Sequence, residues 1–482
     1  MTQISFPQGT IYPDSIITQG ETTYALAKLG NGKKQLLVQG KTDGFVGEVM
    51  EGVLVCGVTA VNAATLRTQL PWLNPVPLGR QTSFGFGDRL GSATPGHIAA
   101  LRAAVQDKPI APIFAQQSVR ENTRTGRTPQ GVLDDAMWGI FEEGWRDSWG
   151  ADADHVKEVA DLAPFVGAGY TFYTIDPSDY VDNEAQTDSL ETLRQKAQAL
   201  PWAQLNDSNE AMLARYCDKP LVVTGLTLVF DEAVFLRALV KYGRAIVQTA
   251  VIAQSLNQQM AGRGYDLEMS VDETDTPTSI HEHYFIANEL IRRDIPVVSL
   301  APRFVGKFQK GIDYIGDIPE FEAELIKHVA ILHHFDCYKM SIHTGSDKFS
   351  IYGIINQYAQ GYAHVKTAGT SYLEVLRVVA VKDPTLFRRV LDLAHERFQT
   401  DRKTYFLDCQ PEKVLASTAL TDAQLPNLLE DASVDARQLL HVTFGSVLDA
   451  FGNELTAFIA NHEADYRAGL GVHFARHLRP FC

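Results

Sequence analysis

The sequence predicts an α/β protein: a (β/α)8 TIM-like barrel with a helical insertion and a small N-terminal β-rich cap. Three observations predict it. Eight short apolar runs of strand character follow one another from Lys108 onward, several separated by amphipathic stretches with apolar residues three and four apart. Polar residues gather at the carboxyl ends of these runs, where barrels of this kind place their active sites. The chain has 482 residues, 45% of them apolar and 21% charged, an ordinary globular composition long enough for a barrel with insertions. An open doubly wound sheet is the other arrangement that this alternation allows.

The elements follow in order. Residues 1–75 read as the cap, because ETTYALAKLGNG, KQLLVQGKTDG and EGVLVCGVTAV are alternating runs broken by Gly. The Pro-rich LPWLNPVPLG marks the boundary, leaving residues 76–482 for the barrel. Its predicted strands are PIAPIFAQQ, ADADHVK, YTFYTID, YDLEMSVDE, IPVVSLAPRF, CYKMSIHTG, AHVKTAG and LLHVTFG. GVLDDAMWGIFEEGWRD and PEFEAELIKHVAILHHF are helical patterns between them, and Thr128 followed by Pro129 suits the start of the first. Extra helical material over residues 183–253 reads as the insertion.

Several functional classes fall away. The formal charge of −15, from 43 Lys plus Arg against 58 Asp plus Glu, argues against a nucleic-acid partner, since phosphate binding needs clustered cations. No apolar stretch approaches the ~18 to 20 residues of a membrane span. The start, MTQISFPQGTIYPDS, lacks the layout of a secretory signal. The cysteines Cys56, Cys217, Cys337, Cys409 and Cys482 are odd in number and scattered, as expected of reduced thiols in the cytoplasm. The expected partner is a small molecule, with neither membrane nor nucleic acid; the sequence carries no signal for an oligomeric state.

Alternation locates the chemistry. Leu267, Met269 and Val271 share one strand face, and Glu268, Ser270 and Asp272 the other; Met340 and Ile342 likewise oppose Lys339, Ser341 and His343. Helix-facing positions of a barrel strand are apolar, so the polar sets should point inward. Glu273 falls on the wrong face unless it already lies in the loop. His155, Glu268, His343 and His364 sit on separate candidate strands near carboxyl ends, and imidazole with carboxylate is a ligand set for a divalent metal such as Zn, Ni or Mn. A lone strand histidine is more often a packed side chain, so the coincidence of four carries the expectation. His333 and His334, adjacent in a helix, and His281 and His283, two apart, make poor chelates and are read as packing or surface residues. Arg303, Lys307 and Lys310, with Gln309, could hold a carboxylate, Arg being suited to both oxygens at once; a solvated basic loop is the plainer reading. Asp272 and Lys339 join this substrate-binding set. The glycines of FGFGDRLGSATPGH (Gly85, Gly87 and Gly91) are spaced too widely for a dinucleotide fingerprint, and no P-loop, nucleophile elbow or HExxH occurs. In HTGSDKFS, Ser346 or backbone amides could meet a ligand, although Gly345 and Asp347 equally suit a plain turn.

Longer strings carry a resemblance. FGFGDRLGSATPGH, QSVRENTRTGRTP, FEEGWRDSWGADADHVK, YTFYTIDPSDYVDN, SVDETDTPT, LAPRFVGKFQKGIDYIGD, IHTGSDKFSIY and HVKTAGTSYLEVLR resemble the tagaturonate/fructuronate epimerases, covering residues 83–376. The resemblance implies a metal-dependent isomerase of hexuronate breakdown on a TIM-like barrel, interconverting D-tagaturonate and D-fructuronate. It implies Asp154 as base, Glu268 as acid, and His155 and His343 as ligands of a divalent cation. His364 is the third ligand on chemical grounds, with Gln309 or Glu268 as substitutes.

The carbon inverted in that reaction is β to the ketone, so simple enolisation does not acidify its C–H bond. Retro-aldol cleavage with re-addition on the other face needs a base on the hydroxyl and a metal for the enediolate. Direct proton exchange between two opposed groups is a second route, and transient oxidation by nicotinamide, disfavoured by the missing fingerprint, a third. The competing readings are a metal-dependent aldolase or aldose–ketose isomerase of sugar acids, and a carbohydrate-binding scaffold. Neutral ketoses should be poor substrates, lacking a carboxylate for Arg303 or Lys307.

Overall fold

The computed structural model describes residues 4–104 and 109–482, and at its centre eight parallel strands close into a barrel. In chain order they are β1 (Ser83–Phe86), β2 (Ala111–Ser118), β3 (Gly150–Val156), β4 (Phe172–Ile175), β5 (Asp266–Ser270), β6 (Val297–Ala301), β7 (Lys339–Ile342) and β8 (Ala363–Thr367). Each pairs with its successor, and β8 pairs with β1 through His364 and Ser83 to Thr367 and Phe86. The α/β barrel expected from the sequence is the fold, and the doubly wound alternative is excluded because the sheet has no open edge. The change of pattern placed at Lys108 lies outside the described residues.

One predicted strand is helical in the structure. LLHVTFG is not the eighth strand: it spans the end of the helix Val434–Val442 and the start of the helix Phe444–Asn461. A short apolar run fits a buried helix as well as a buried strand, and here Ala436, Leu439 and Leu440 supply the helical spacing. The missing strand is β1, concealed in the glycine-rich run. Phe84 and Phe86 face outward onto Phe481 and Phe474, while Gly85 leaves room at the axis for Gln116, whose Oε1 would lie 2.6 Å from an added Cβ.

Local chemistry starts the surrounding helices as the sequence suggests. Thr128 Oγ1 accepts the Gly131 N–H at 3.1 Å and Pro129 opens the helix Pro129–Glu142. A capping box of Ser279 and Glu282 begins Ile280–Ile291, and Asp317 caps Ile318–Phe335. Between β4 and β5 run short helices, a two-stranded hairpin and the 29-residue helix Glu232–Met260, which packs against Ile280–Ile291.

Ahead of the barrel, strands between Gly9 and Gly57 form a six-stranded sheet with antiparallel pairing. Lys34 ties it down: its ammonium meets Glu142 and lies 2.7 Å from Glu463, so one cation joins the sheet to two barrel-side helices. The last of these, Glu463–Leu478, lies along Thr94–Ala104, where Gly96 admits Leu470. All five cysteines are free, and no helix among the described residues is long and apolar enough to cross a membrane.

Candidate active site at the carboxyl end of the barrel

Parallel strands deliver their last side chains to one end, and there β3, β5 and β7 bring acids and imidazoles together. Inward-facing Asp152 and Asp154 come from β3. The next residue, His155, has φ +56° where the β3–β4 register slips, a left-handed backbone unusual for a side chain with a Cβ. This turn brings the His155 ring back over the site, its Nδ1 2.8 Å from Asp154 Oδ1. His343 follows β7, with Nδ1 3.0 Å from Asp272 and Nε2 2.7 Å from Glu268. The two rings lie 5.1 Å apart. Each therefore anchors Nδ1 on a carboxylate, the arrangement that commonly orients metal-binding imidazoles.

Beneath them Lys366, on the inner face of β8, is 2.8 Å from both Asp152 and Asp154 and 3.0 Å from Glu268. Thr174 and Ser299 donate to Glu268, and Gln116 Nε2 donates to Asp154 at 3.1 Å. Burial alone would raise the Asp154 carboxyl, but His155 and Lys366 hold it well below its ordinary range. Glu268 is likewise kept ionised against burial by Lys366 and His343, and Asp272 by His343. Asp152 differs: burial, only partly offset by Lys366, lifts it to about 7. Burial would lower both imidazoles, yet Asp154 lifts His155 to about 9 and Asp272 lifts His343 to about 10.

These directions supply a test for a metal. Asp154, His155 and His343 each offer a donor atom, all within 4.8 Å of one another. The surrounding carboxylates draw two positive charges onto the rings as protons, and a divalent ion would supply the same two charges on releasing those protons. The residues present fit such an ion. A second cluster, Asp347, His473 and His477, is filled by protein: Arg437 lies 3.2 Å from Asp347, and His477 Nε2 accepts the Asp347 backbone N–H at 3.0 Å.

Not every expected site residue joins the centre. His364 is buried deeper in the barrel, its Nδ1 2.8 Å from Ser83 Oγ and its ring against Phe172, and it gives no atom to the donor group. Lys339 lies at the amino end, its ammonium donating to Gly79 O, Gln81 O and Ser83 Oγ, with burial lowering it to about 8. Asp272, Arg303, Lys307, Gln309 and Lys310 do come together, lining a cavity of about 380 Å³ above His343. Within it Gln309 Oε1 accepts from the Asp408 backbone and Gln438, and Lys307 pairs with Asp408 at 2.7 Å near the surface. Arg303 has no side-chain ion pair among the described residues. The outer wall is aromatic, with Phe304, Phe308, Tyr405 and an 88% exposed Phe406. The helix histidines read as packing groups include His283, whose Nε2 lies 2.8 Å from the Tyr338 hydroxyl and whose ring faces His328.

Sequence reasoning missed Lys366, Asp152, Thr174 and Arg120. Period two marked the first, since Lys366 shares a face with His364, but its partners lie on other strands. Arg120 lies in the first turn of the short helix Val119–Thr125 after β2 and faces the same cavity as Lys310, a proximity set only by closure of the barrel.

With this geometry in place, the comparisons with known proteins are specific. The profile of the UxaE family, described as tagaturonate epimerase, matches residues 12–481. A tagaturonate/fructuronate epimerase of Thermotoga maritima is 42% identical over 438 residues, covering 89% of this chain and 87% of that relative. The crystal structure of the fructuronate-tagaturonate epimerase UxaE from Cohnella laeviribosi with one glycerol superposes with a TM-score of 0.93 at 38% identity, covering 98% of this chain and 96% of the other. Its native form gives 0.92 at 37% identity, covering 98% and 97%.

Proposed function

The chain belongs to the tagaturonate epimerase family, and from that premise we propose that the carboxyl end of its barrel interconverts D-tagaturonate and D-fructuronate around a divalent cation. The observation that carries the site assignment is the convergence of Asp154, His155 and His343 on one point below an open cavity lined by cations. His155 and His343 would hold the ion as imidazole donors, with Asp154 the carboxylate beside them. When bound, such an ion supplies positive charge to developing oxyanions of the substrate. Zn, Ni and Mn all suit this donor set.

The chain's own groups then divide the work. Asp154, resting ionised, takes the proton from the hydroxyl on the carbon to be inverted. Glu268 returns a proton to the re-formed hydroxyl on the opposite face. Because both carboxylates rest ionised, Glu268 has to be supplied, and Lys366 connects them: its Nζ is 2.8 Å from Asp154 and 3.0 Å from Glu268. Lys366 keeps its proton, since Asp152, Asp154 and Glu268 raise its ammonium above its ordinary range, and the proton passes from Asp154 to Glu268, the two carboxylates that it holds together. This scheme serves retro-aldol cleavage with re-addition, in which the aldehyde fragment turns between the two faces. Arg303, Lys307, Gln309, Lys310 and Asp272 would bind the substrate from the cavity wall. Hexuronate breakdown in the cytoplasm is the setting that suits a small-molecule isomerase with no membrane-spanning helix among its described residues.

The test pairs elemental analysis with turnover. Purified protein should carry one divalent ion per chain and convert fructuronate to tagaturonate; chelation should abolish turnover and the metal should restore it. Accumulating three-carbon fragments, or a uronate aldose, would overturn the epimerase reading in favour of an aldolase or isomerase. Full activity after metal stripping would remove the ion alone.

A further inference from the structure

Resting on the epimerase reading of this site, we propose that Arg120 and Lys310, reaching over the mouth from opposite strands, form the anchor for the substrate's carboxylate and thereby select uronates over neutral ketoses. The barrel order places β2 and β6 four strands apart, on opposite sides. Arg120 follows β2 and Lys310 follows β6, yet both line the one cavity above His343. Their charges are close enough that, after burial, Arg120 is the leading influence lowering the Lys310 ammonium.

Neither cation is closely paired, although Glu273 and Glu121 lie near enough to act on both. Lys310 has no carboxylate partner among the described residues, only Thr344 Oγ1 at 3.0 Å. Arg120 touches Glu273 at 3.5 Å, the long end of an ion pair, and its Nε is buried without a partner. Two neighbouring, partly desolvated cations repel each other, and a substrate carboxylate placed between them gives Lys310 an ionic contact and Arg120 a closer one than Glu273. Arg120 offers a two-toothed fork and Lys310 a point charge. By contrast, Lys307 already has Asp408 at the rim, where an ion pair contributes little. A hexulose with a hydroxymethyl group in place of the carboxylate leaves both cations without that contact, which penalises the wrong substrate more than it rewards the right one.

The experiment measures kcat and KM for fructuronate and for the neutral ketose tagatose, with fructuronate binding by calorimetry, in wild type, Arg120→Ala, Arg120→Lys and Lys310→Ala. The two alanine variants should each lower kcat/KM for fructuronate roughly 100-fold, mainly through KM, and change that for tagatose less than about threefold. Arg120→Lys should recover part of the loss. An equal loss on both substrates, or unchanged fructuronate binding in both alanine variants, overturns the anchor. If wild type binds fructuronate without epimerising it, the reading of the reaction fails, and the calorimetric comparison still decides the anchor.

Discussion

Lys366 shows how much of the site depends on one residue. Fully inside the barrel, it faces three carboxylates within 3.0 Å, and no solvent can replace its charge. Lys366→Met leaves Asp152, Asp154 and Glu268 as neighbouring buried acids, so one or more must take up a proton to relieve their repulsion. The expected result is a fall in kcat on the order of 100-fold or more, with KM nearly unchanged because Lys366 does not line the cavity. Steady-state kinetics on a variant that still melts cooperatively checks this, and kcat within about threefold of wild type would mean that the carboxylates do not need the Lys366 charge to work. Residue type and period two were enough to point to Glu268 and His343, since polar side chains on the inner faces of barrel strands need a reason to be there; His155 was marked only by its place at a strand end, and its left-handed backbone turns it inward. Their partners were not legible. Asp272 against His343, Lys366 under Asp154 and Arg120 near Lys310 are relations between strands, which a single linear pattern does not contain.

At the level of elements, seven of the eight barrel strands were legible because each carries an apolar face and ends in polar residues. β1 was not, because its inward positions are small. Gly85 and the Gly87 that follows the strand exist to admit neighbours: Gln116 approaches the first, and Ala368 and Thr367 the second, with an added Cβ at Gly87 only 2.8 Å from Ala368 Cα. This seam joins β8 to β1 and closes the barrel, and the Gly87 N–H donates to Thr367 O at 2.8 Å across it. The two glycines should therefore respond differently. Gly87→Ala collides with backbone that cannot rotate away and should lose about 1–3 kcal/mol of stability, read by denaturant unfolding. Gly85→Ala meets the movable end of Gln116, so stability should change less, while turnover falls because Gln116 supports Asp154 at 3.1 Å. Equal stability losses with unchanged turnover at Gly85 would contradict this division. LLHVTFG failed for the complementary reason: β-branched and aromatic residues resemble a strand until tertiary packing selects the helix.

For the whole molecule, the charge of −15 acquires a local meaning, since an acidic protein that binds an acidic sugar must collect cations at one opening, while burial keeps a histidine packed elsewhere, such as His97, neutral. His97 is the clearest such histidine. It joins three parts of the structure: its Nε2 pairs with Ser371 Oγ at 2.9 Å, and its ring lies 4.8 Å from Phe86 on β1 and 4.7 Å from Phe474 on the C-terminal helix. Burial lowers this imidazole to about 4, so between the unfolded value of 6.5 and 4 the unfolded chain binds a proton that the native one refuses. Its contribution is therefore fully present above about pH 6.5 and shrinks as the pH falls, by about 1.4 kcal/mol per unit, until the folded group titrates near 4. Buried carboxyls raised in the fold, such as Glu142 at about 7, act in the opposite sense, so the total acid limb does not isolate the histidine. The difference between wild type and His97→Gln does. At pH 7.5 the variant should be the less stable, having lost the packed ring, and the gap should narrow by roughly 2–3 kcal/mol on going to pH 4.5. Denaturant unfolding of both proteins across that range reads the gap directly, and a gap independent of pH would mean that His97 takes up its proton as readily in the native core as in the unfolded chain.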